Sequence, residues 1–251
     1  VTAVAALTER IVLSTLRDDL PFAILAPAGN FVIFNFMLGN VIDTGGMSYP
    51  QYLLPVIIVQ VMFLGALTTV DRAARDQQSD FGIRLRTLPI STIAPLTARM
   101  LYCLFRGALG LLATIAVGYA FGFRMFGGPG NAAAFVVLVL AFTLALSFAA
   151  DAIGTKTARG EIGRSGASSQ LLLIPQMLLV MLSTGMAPVD SFPNWLQPFV
   201  RYQPVSQVTE TLRGFTTGHV EPGNLATSAA WCLGLLLVCG AIAVRMQRHT
   251  P

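Results

Sequence analysis

Residues 183–215 read "STGMAPVDSFPNWLQPFVRYQPVSQVTETLRGF". Four prolines, the indole of Trp195 and two arginines stand here between two long apolar runs. The stretch is a linker, an active-site loop or a folded piece at a membrane surface, depending on what those runs are. They cover residues 169–187 and 225–244, and four more of the same kind lie at 20–41, 50–70, 98–122 and 131–153. Each approaches the ~20 apolar residues needed to cross a hydrocarbon layer. The chain is 54% hydrophobic and 11% charged, with mean hydropathy +0.68. A water-soluble domain carries about 25% charged residues, so this chain cannot cover a water-facing surface. The predicted fold class is an all-α integral membrane protein with six transmembrane helices, forming one domain over residues 1–251.

Positive charge sets the predicted orientation. With the N-terminus inside, Arg10, Arg17, Arg72, Arg75, Arg84, Arg86, Arg99, Lys156, Arg159, Arg164, Arg245 and Arg248 fall inside, and Arg124, Arg201 and Arg213 outside. Twelve against three supports six spans with both termini cytoplasmic. Residues 5–16, "AALTERIVLSTL", are too short and polar to span. Leu7, Ile11 and Leu16 share a helical face, which predicts an interfacial helix, a soluble tail being the alternative. Residues 1–19 carry Glu9, Arg10, Arg17, Asp18 and Asp19 and are not expected to be a cleaved leader.

The longest inside connection, 71–97, contains "SDFGIRLRTLP". Ser79 can cap a short helix and Pro89 ends it. Phe81, Leu85 and Leu88 fall on one face, with Arg84 and Arg86 elsewhere. Such a helix either lies on anionic headgroups or docks into a soluble partner. Residues 154–169 form a Gly-rich, basic connection that reads as solvated.

Catalysis has few candidates. His219 and His249 both lie outside the spans, and the chain lacks HExxH, GxSxG, Cys-X-X-Cys and Walker A motifs. No catalytic residue, metal site or cofactor site is expected in this chain. Cys103, Cys232 and Cys239 have neither a metal spacing nor an even count, and no basic run suggests a nucleic-acid partner. Midplane carboxylates, which ion-coupled transporters use, are missing. Arg106 is the one charge well within a span; it either snorkels to the inner headgroups or faces the bundle, where it meets an anionic substrate group as part of a substrate path or pairs with Asp151. Asn30 and Asn35, with Phe34 between them, Gln60 and Gln176 are the polar positions available for a substrate path, and interhelical hydrogen bonds are the simpler use of their amides. Three stripes of small residues, Thr114–Gly118–Gly122, Ala141–Ala145–Ala149 and Ala226–Ala230–Gly234, predict close helix packing.

The opening stretch resembles the C-terminal signature of ABC-2-type permeases. The matching residues are Pro188, Phe192–Pro193, Trp195–Leu196, Pro198–Phe199, Gln203–Ser206 and Leu212–Gly214. It is most similar to the daunorubicin-resistance (Drr) permeases of actinobacteria, especially the mycobacterial forms. "LSFAADAIGT", "GYAFGFRMFGG" and "RLRTLPIS" extend the likeness over about 51–214. The family commonly has a glycine and an acidic residue before the "L..LP" element; here Asp80 comes earlier, and Arg84 and Arg86 flank Leu85.

The resemblance implies the ABC-2 exporter fold: a cytoplasmic coupling helix at 79–88 between the second and third spans, and short re-entrant helices over 188–214 between the fifth and sixth. It implies docking of Asp80, Phe81, Arg84, Leu85, Arg86 and Leu88 to a separate ABC ATPase in two copies, which binds ATP and Mg. It also implies a second, non-identical permease. Phe192, Pro193, Trp195 and Phe199 become an extracellular gate, with Pro193 and Pro198 expected to break a continuous helix. The expected function is export of amphipathic envelope lipids, hydrophobic drugs or both through the plasma membrane. The alternatives are a channel or a structural subunit of another membrane complex.

Overall fold

The computed structural model describes residues 2–15, 17, 19–38, 47–78, 91, 93–158 and 169–248. These form helices: α1 (Thr2–Thr15), α2 (Asp19–Leu38), α3 (Tyr49–Gln78), α4 (Ala94–Ala120), α5 (Gly128–Thr157), α6 (Gln170–Met181), a 3-10 turn (Val189–Ser191), α7 (Gln197–Tyr202), α8 (Pro204–Thr217) and α9 (Pro222–Arg248). Five of them, α2, α3, α4, α5 and α9, are long and apolar enough to cross a membrane.

The helix α3 is central. It packs against α2, α4, α5, α6 and α8, and α5 also holds α9. The core is an apolar cluster that includes Leu54, Ile57, Ile58 and Met62 of α3, Phe135 and Phe142 of α5, and Val208 and Leu212 of α8. Large side chains on the outer faces of α2, α6 and α9 stay exposed, among them Phe36, Ile174 and Leu237, as they must where the solvent is lipid.

The closest approach of α3 and α5 depends on Gly154, where a Cβ would run into the Val70 carbonyl and the Ala73 methyl. Gly154→Val is expected to push the helices apart. Overpacking of this kind costs about 1–3 kcal/mol, to be measured as a lower melting temperature of the purified protein in detergent. The small-residue stripes divide. Thr114, Gly118 and Ala145 face packed neighbours, whereas Ala226, Ala230 and Gly234 lie on the exposed side of α9, whose packed face is Ser228, Cys232 and Ala243.

One element departs from the predicted layout. The run at 169–187 forms a helix of only 12 residues, about 18 Å long at 1.5 Å per residue, against a hydrocarbon thickness of ~30 Å. It stops where Ser183, Thr184 and Gly185 turn, with Gly185 pressed against Val56. Hydropathy alone does not register that break, because a spanning-length window averages Ser183, Thr184 and Gly185 into their apolar neighbours. Pro193 lies between the 3-10 turn and α7, and Pro198 and Pro204 stand in the first turns of α7 and α8, where a missing N–H costs nothing. The stretch is thus divided into short helices at its prolines.

The helix α1 packs on α4, so residues 5–15 belong to a helix docked on the bundle. The predicted coupling residues Asp80, Phe81, Arg84, Leu85, Arg86 and Leu88 lie outside the described residues, as does most of 154–169.

Candidate functional site

Polar chemistry gathers at the two ends of α3, with Tyr52 at one and Asp76 at the other, roughly 36 Å apart along the helix.

The Asp76 end is organised by one face of α4. Arg99, Tyr102, Cys103 and Arg106 recur at i, i+3, i+4 and i+7, so a single stripe points into the bundle. Arg99 is 2% exposed. Its Nε donates to Asp151 of α5 at 2.7 Å and its Nη1 to Asp76 of α3 at 3.1 Å. Asp151 is fully buried. One turn further in, the Tyr102 hydroxyl donates to Asp19 at 2.6 Å and Arg106 Nε donates to the other oxygen of that carboxylate at 3.1 Å. Arg72 of α3 adds its Nη2 at 3.5 Å and stacks over the Tyr102 ring. Three arginines thus meet three aspartates from α2, α3 and α5. A buried ion left alone is costly in a low dielectric, and such a cluster is tolerated because each charge has a partner.

Arg106 therefore faces the bundle, is almost fully buried and pairs with Asp19. It neither snorkels nor meets Asp151, which belongs to Arg99. Sequence reasoning passed over Asp19 as a boundary residue of the first span. The available signal was helical spacing: Arg99 and Arg106 are seven apart and share a face, so two acceptors were needed.

The Tyr52 end manages the break in α6. Residues 182–185 leave their helix, and non-helical backbone at membrane depth must be satisfied by protein. Gln203 Nε2 donates to the Leu182 carbonyl, and Ser206 Oγ accepts from the Thr184 N–H. The Tyr52 hydroxyl donates to the Thr184 carbonyl at 3.0 Å. Arg213 spreads its guanidinium over the carbonyls of Tyr52, Thr184 and Gly185 at 3.2–3.4 Å. It stacks 3.7 Å above the Tyr52 ring and pairs with Glu210 at 2.7 Å. Leu212 fills the core, and a Cβ on Gly214 would crowd the returning chain at His219 and Val220. The polar members of the "QPVS" and "LRG" elements are thus caps for a broken helix.

In front of this knot lie the predicted gate residues. Trp195 is 79% exposed, Phe199 about half exposed, Pro193 exposed and Phe192 half-buried. Trp231 Nε1 donates to the Tyr202 carbonyl and ties α7 to α9. The stretch at 188–214 is therefore two things, an exposed front (3-10 turn and α7) and a buried helix behind it (most of α8).

The candidate path residues sit on separate helices: Asn30, Phe34 and Asn35 on α2, Gln60 on α3, Gln176 on α6, all half-buried. Among the described residues none of these four amides makes a side-chain hydrogen bond. No group of three or more His, Cys, Asp or Glu that could hold a metal occurs among the described residues.

A family profile described as ABC-2 family transporter protein matches residues 24–245. The chain belongs to the ABC-2 family. Its relatives include the doxorubicin resistance ABC transporter permease protein DrrB of Mycobacterium tuberculosis, 31% identical over 238 residues, covering 92% of this chain and 78% of that one. The probable doxorubicin resistance ABC transporter permease protein DrrC of the same organism is 25% identical over 249 residues, covering 96% and 87%. The daunorubicin resistance ABC transporter permease protein DrrB1 of Streptomyces coeruleorubidus is 26% identical over 226 residues, covering 90% and 78%. This chain is thus an integral membrane protein of an ABC permease family, and both polar clusters lie within the matched region.

Proposed function

We propose that this ABC-2 protein is the membrane subunit of an ATP-driven exporter of amphipathic cargo, either a complex envelope lipid or a hydrophobic drug. What carries the reading is the family match over 24–245, with relatives named for doxorubicin and daunorubicin resistance. ATP and Mg belong to a separate ABC ATPase present in two copies. A second, non-identical permease completes the membrane part. The chain sits in the plasma membrane with both termini cytoplasmic. In this orientation the Arg99 cluster is at the cytoplasmic end and the Arg213 knot at the outer end. Six crossings result when α6 and the folded stretch behind it together make the fifth.

Residues 79–88 dock into the ATPase through Phe81, Leu85 and Leu88, with Asp80, Arg84 and Arg86 at the rim. Asn30, Phe34, Asn35, Gln60 and Gln176 supply polar contacts along the path. Their unpaired amides support this, because an amide facing lipid gains nothing. Arg106 stands at the cytoplasmic end and meets an anionic cargo group only after leaving Asp19. Phe192, Pro193, Trp195 and Phe199 form the outer gate.

Docking is tested by Leu85→Asp in the co-purified complex. A charge placed in an apolar contact is expected to cut cargo-stimulated ATP hydrolysis at least tenfold, with the permease still folded. Unchanged stimulation would sink the docking role.

A further inference from the structure

Arg99 has three nitrogens and bonds with two. Nε reaches Asp151 Oδ1 and Nη1 reaches Asp76 Oδ2, while Nη2 is buried without an acceptor and Asp151 Oδ2 is buried without a donor. These two idle atoms are the ones that meet in a side-on fork, where Nε and Nη2 donate in parallel to both oxygens of one carboxylate. The pair with Asp151 is therefore one bond short of its best geometry while the guanidinium also serves Asp76.

The two carboxylates differ in their surroundings. Asp151 is fully buried in α5, and the Asp76 side chain is 42% exposed. Asp76 lies in the last turn of α3, directly before residues 79–90. Six residues earlier, about 9 Å along the helix, Val70 rests on Gly154 of α5. Ala73 and Ala74 are also buried, so α3 is packed up to its last turn, where Asp76 is held by Arg99.

We propose that Arg99 is a two-position latch that positions the end of α3 for coupling. In the position seen, it bridges Asp151 and Asp76 and ties α3 to α4 and α5. In the other, Asp76 departs into water and Nη2 closes on Asp151 Oδ2, so that both idle buried atoms gain a partner. The exchange gives up the Arg99–Asp76 bond, makes a second Arg99–Asp151 bond and leaves every group in the same charge state. A two-position element of this kind turns a small push into a discrete shift. The inference rests on the reading that residues 79–88 receive the push from an ATPase.

The test places spin labels at the exposed positions Arg75→Cys and Lys156→Cys, with Cys103, Cys232 and Cys239 replaced by alanine, in the full complex in lipid nanodiscs. Nucleotide is expected to shift the label separation by at least about 1–2 Å, the size of helix shifts in such transitions. Asp76→Asn should show the shifted separation without nucleotide and lose at least tenfold in transport, at an unchanged melting temperature. Asp76→Glu should restore the parent separation. An Asp76→Asn distribution identical to the parent without nucleotide overturns the latch, as does a loss of transport that merely follows a loss of stability. If the parent complex neither responds to nucleotide nor transports, the exporter reading fails instead. The nucleotide-free comparison of Asp76→Asn with the parent still decides the latch.

Discussion

Replacing Asp151 with alanine is expected to abolish accumulation of folded protein in the membrane. Arg99 is 2% exposed and Asp151 is fully buried. Removing the carboxylate leaves a guanidinium whose nearest remaining acceptor is the half-exposed Asp76. Breaking one side of a buried pair typically costs about 3–5 kcal/mol, which at 1.4 kcal/mol per decade is a factor of roughly 10² to 10³ or more in the folded population. Much of that cost is the uncompensated charge rather than the lost bond. The double variant Arg99→Leu/Asp151→Leu removes both charges and should recover most of the fold, because a buried pair exchanged for apolar side chains is often neutral. It should not recover transport, since the end of α3 then has no latch. Detergent-solubilised yield and melting temperature, measured for Arg99→Leu, Asp151→Leu and the double, give the coupling energy. If Asp151→Ala accumulates and melts like the parent, the pair contributes nothing to folding.

The membrane class and five crossing helices were legible in the apolar runs, because lipid imposes length and hydropathy on a spanning segment. The ends were not legible. The helix α3 continues to Gln78 although its apolar run stops near Val70, because Asp71 marks where lipid ends and not where hydrogen bonding ends. The short α6 was hidden because a spanning-length hydropathy window averages the Ser183, Thr184 and Gly185 turn into its apolar neighbours. Burial of α8 ran against composition. Ser206, Gln207, Thr209, Thr211 and Arg213 look like surface residues and are nearly all enclosed, since a broken helix behind a membrane face needs donors and acceptors more than it needs methylenes. At the opposite end, Arg106 and Asp151 were picked out, with Asp151 as one candidate partner of Arg106. Seven-residue spacing puts Arg99 and Arg106 on one face, but which carboxylate meets which arginine depends on how α2 and α5 stack beside α4, and no one-dimensional pattern carries that.

Arg213→Lys is expected to be almost as damaging as Arg213→Ala, and this discriminates a fitted clamp from a simple charge. The guanidinium is planar. It stacks on Tyr52 at 3.7 Å while its edge donates to carbonyls at positions 52, 184 and 185 and to Glu210. An ammonium can neutralise Glu210 but cannot stack and fork at once. Among the described residues the Gly185 carbonyl has Arg213 as its donor, and the Thr184 carbonyl would keep only the Tyr52 hydroxyl. Bonds to a charged donor contribute about 1.5–3 kcal/mol, and a desolvated cation–π contact adds about 2 kcal/mol, so either variant should lose on the order of 3 kcal/mol. The loss should be local, loosening α6 and α7 before the bundle melts, because α8 remains anchored by Val205, Val208 and Leu212. Hydrogen exchange over residues 182–203 in lipid nanodiscs is the direct measurement. Faster exchange confined to that segment in both variants, with transport reduced at least tenfold, is the expected result. Arg213→Lys with parent-like exchange would mean that any cation serves there, and that the carbonyl ends of α6 are held by Gln203, Ser206 and Tyr52 alone.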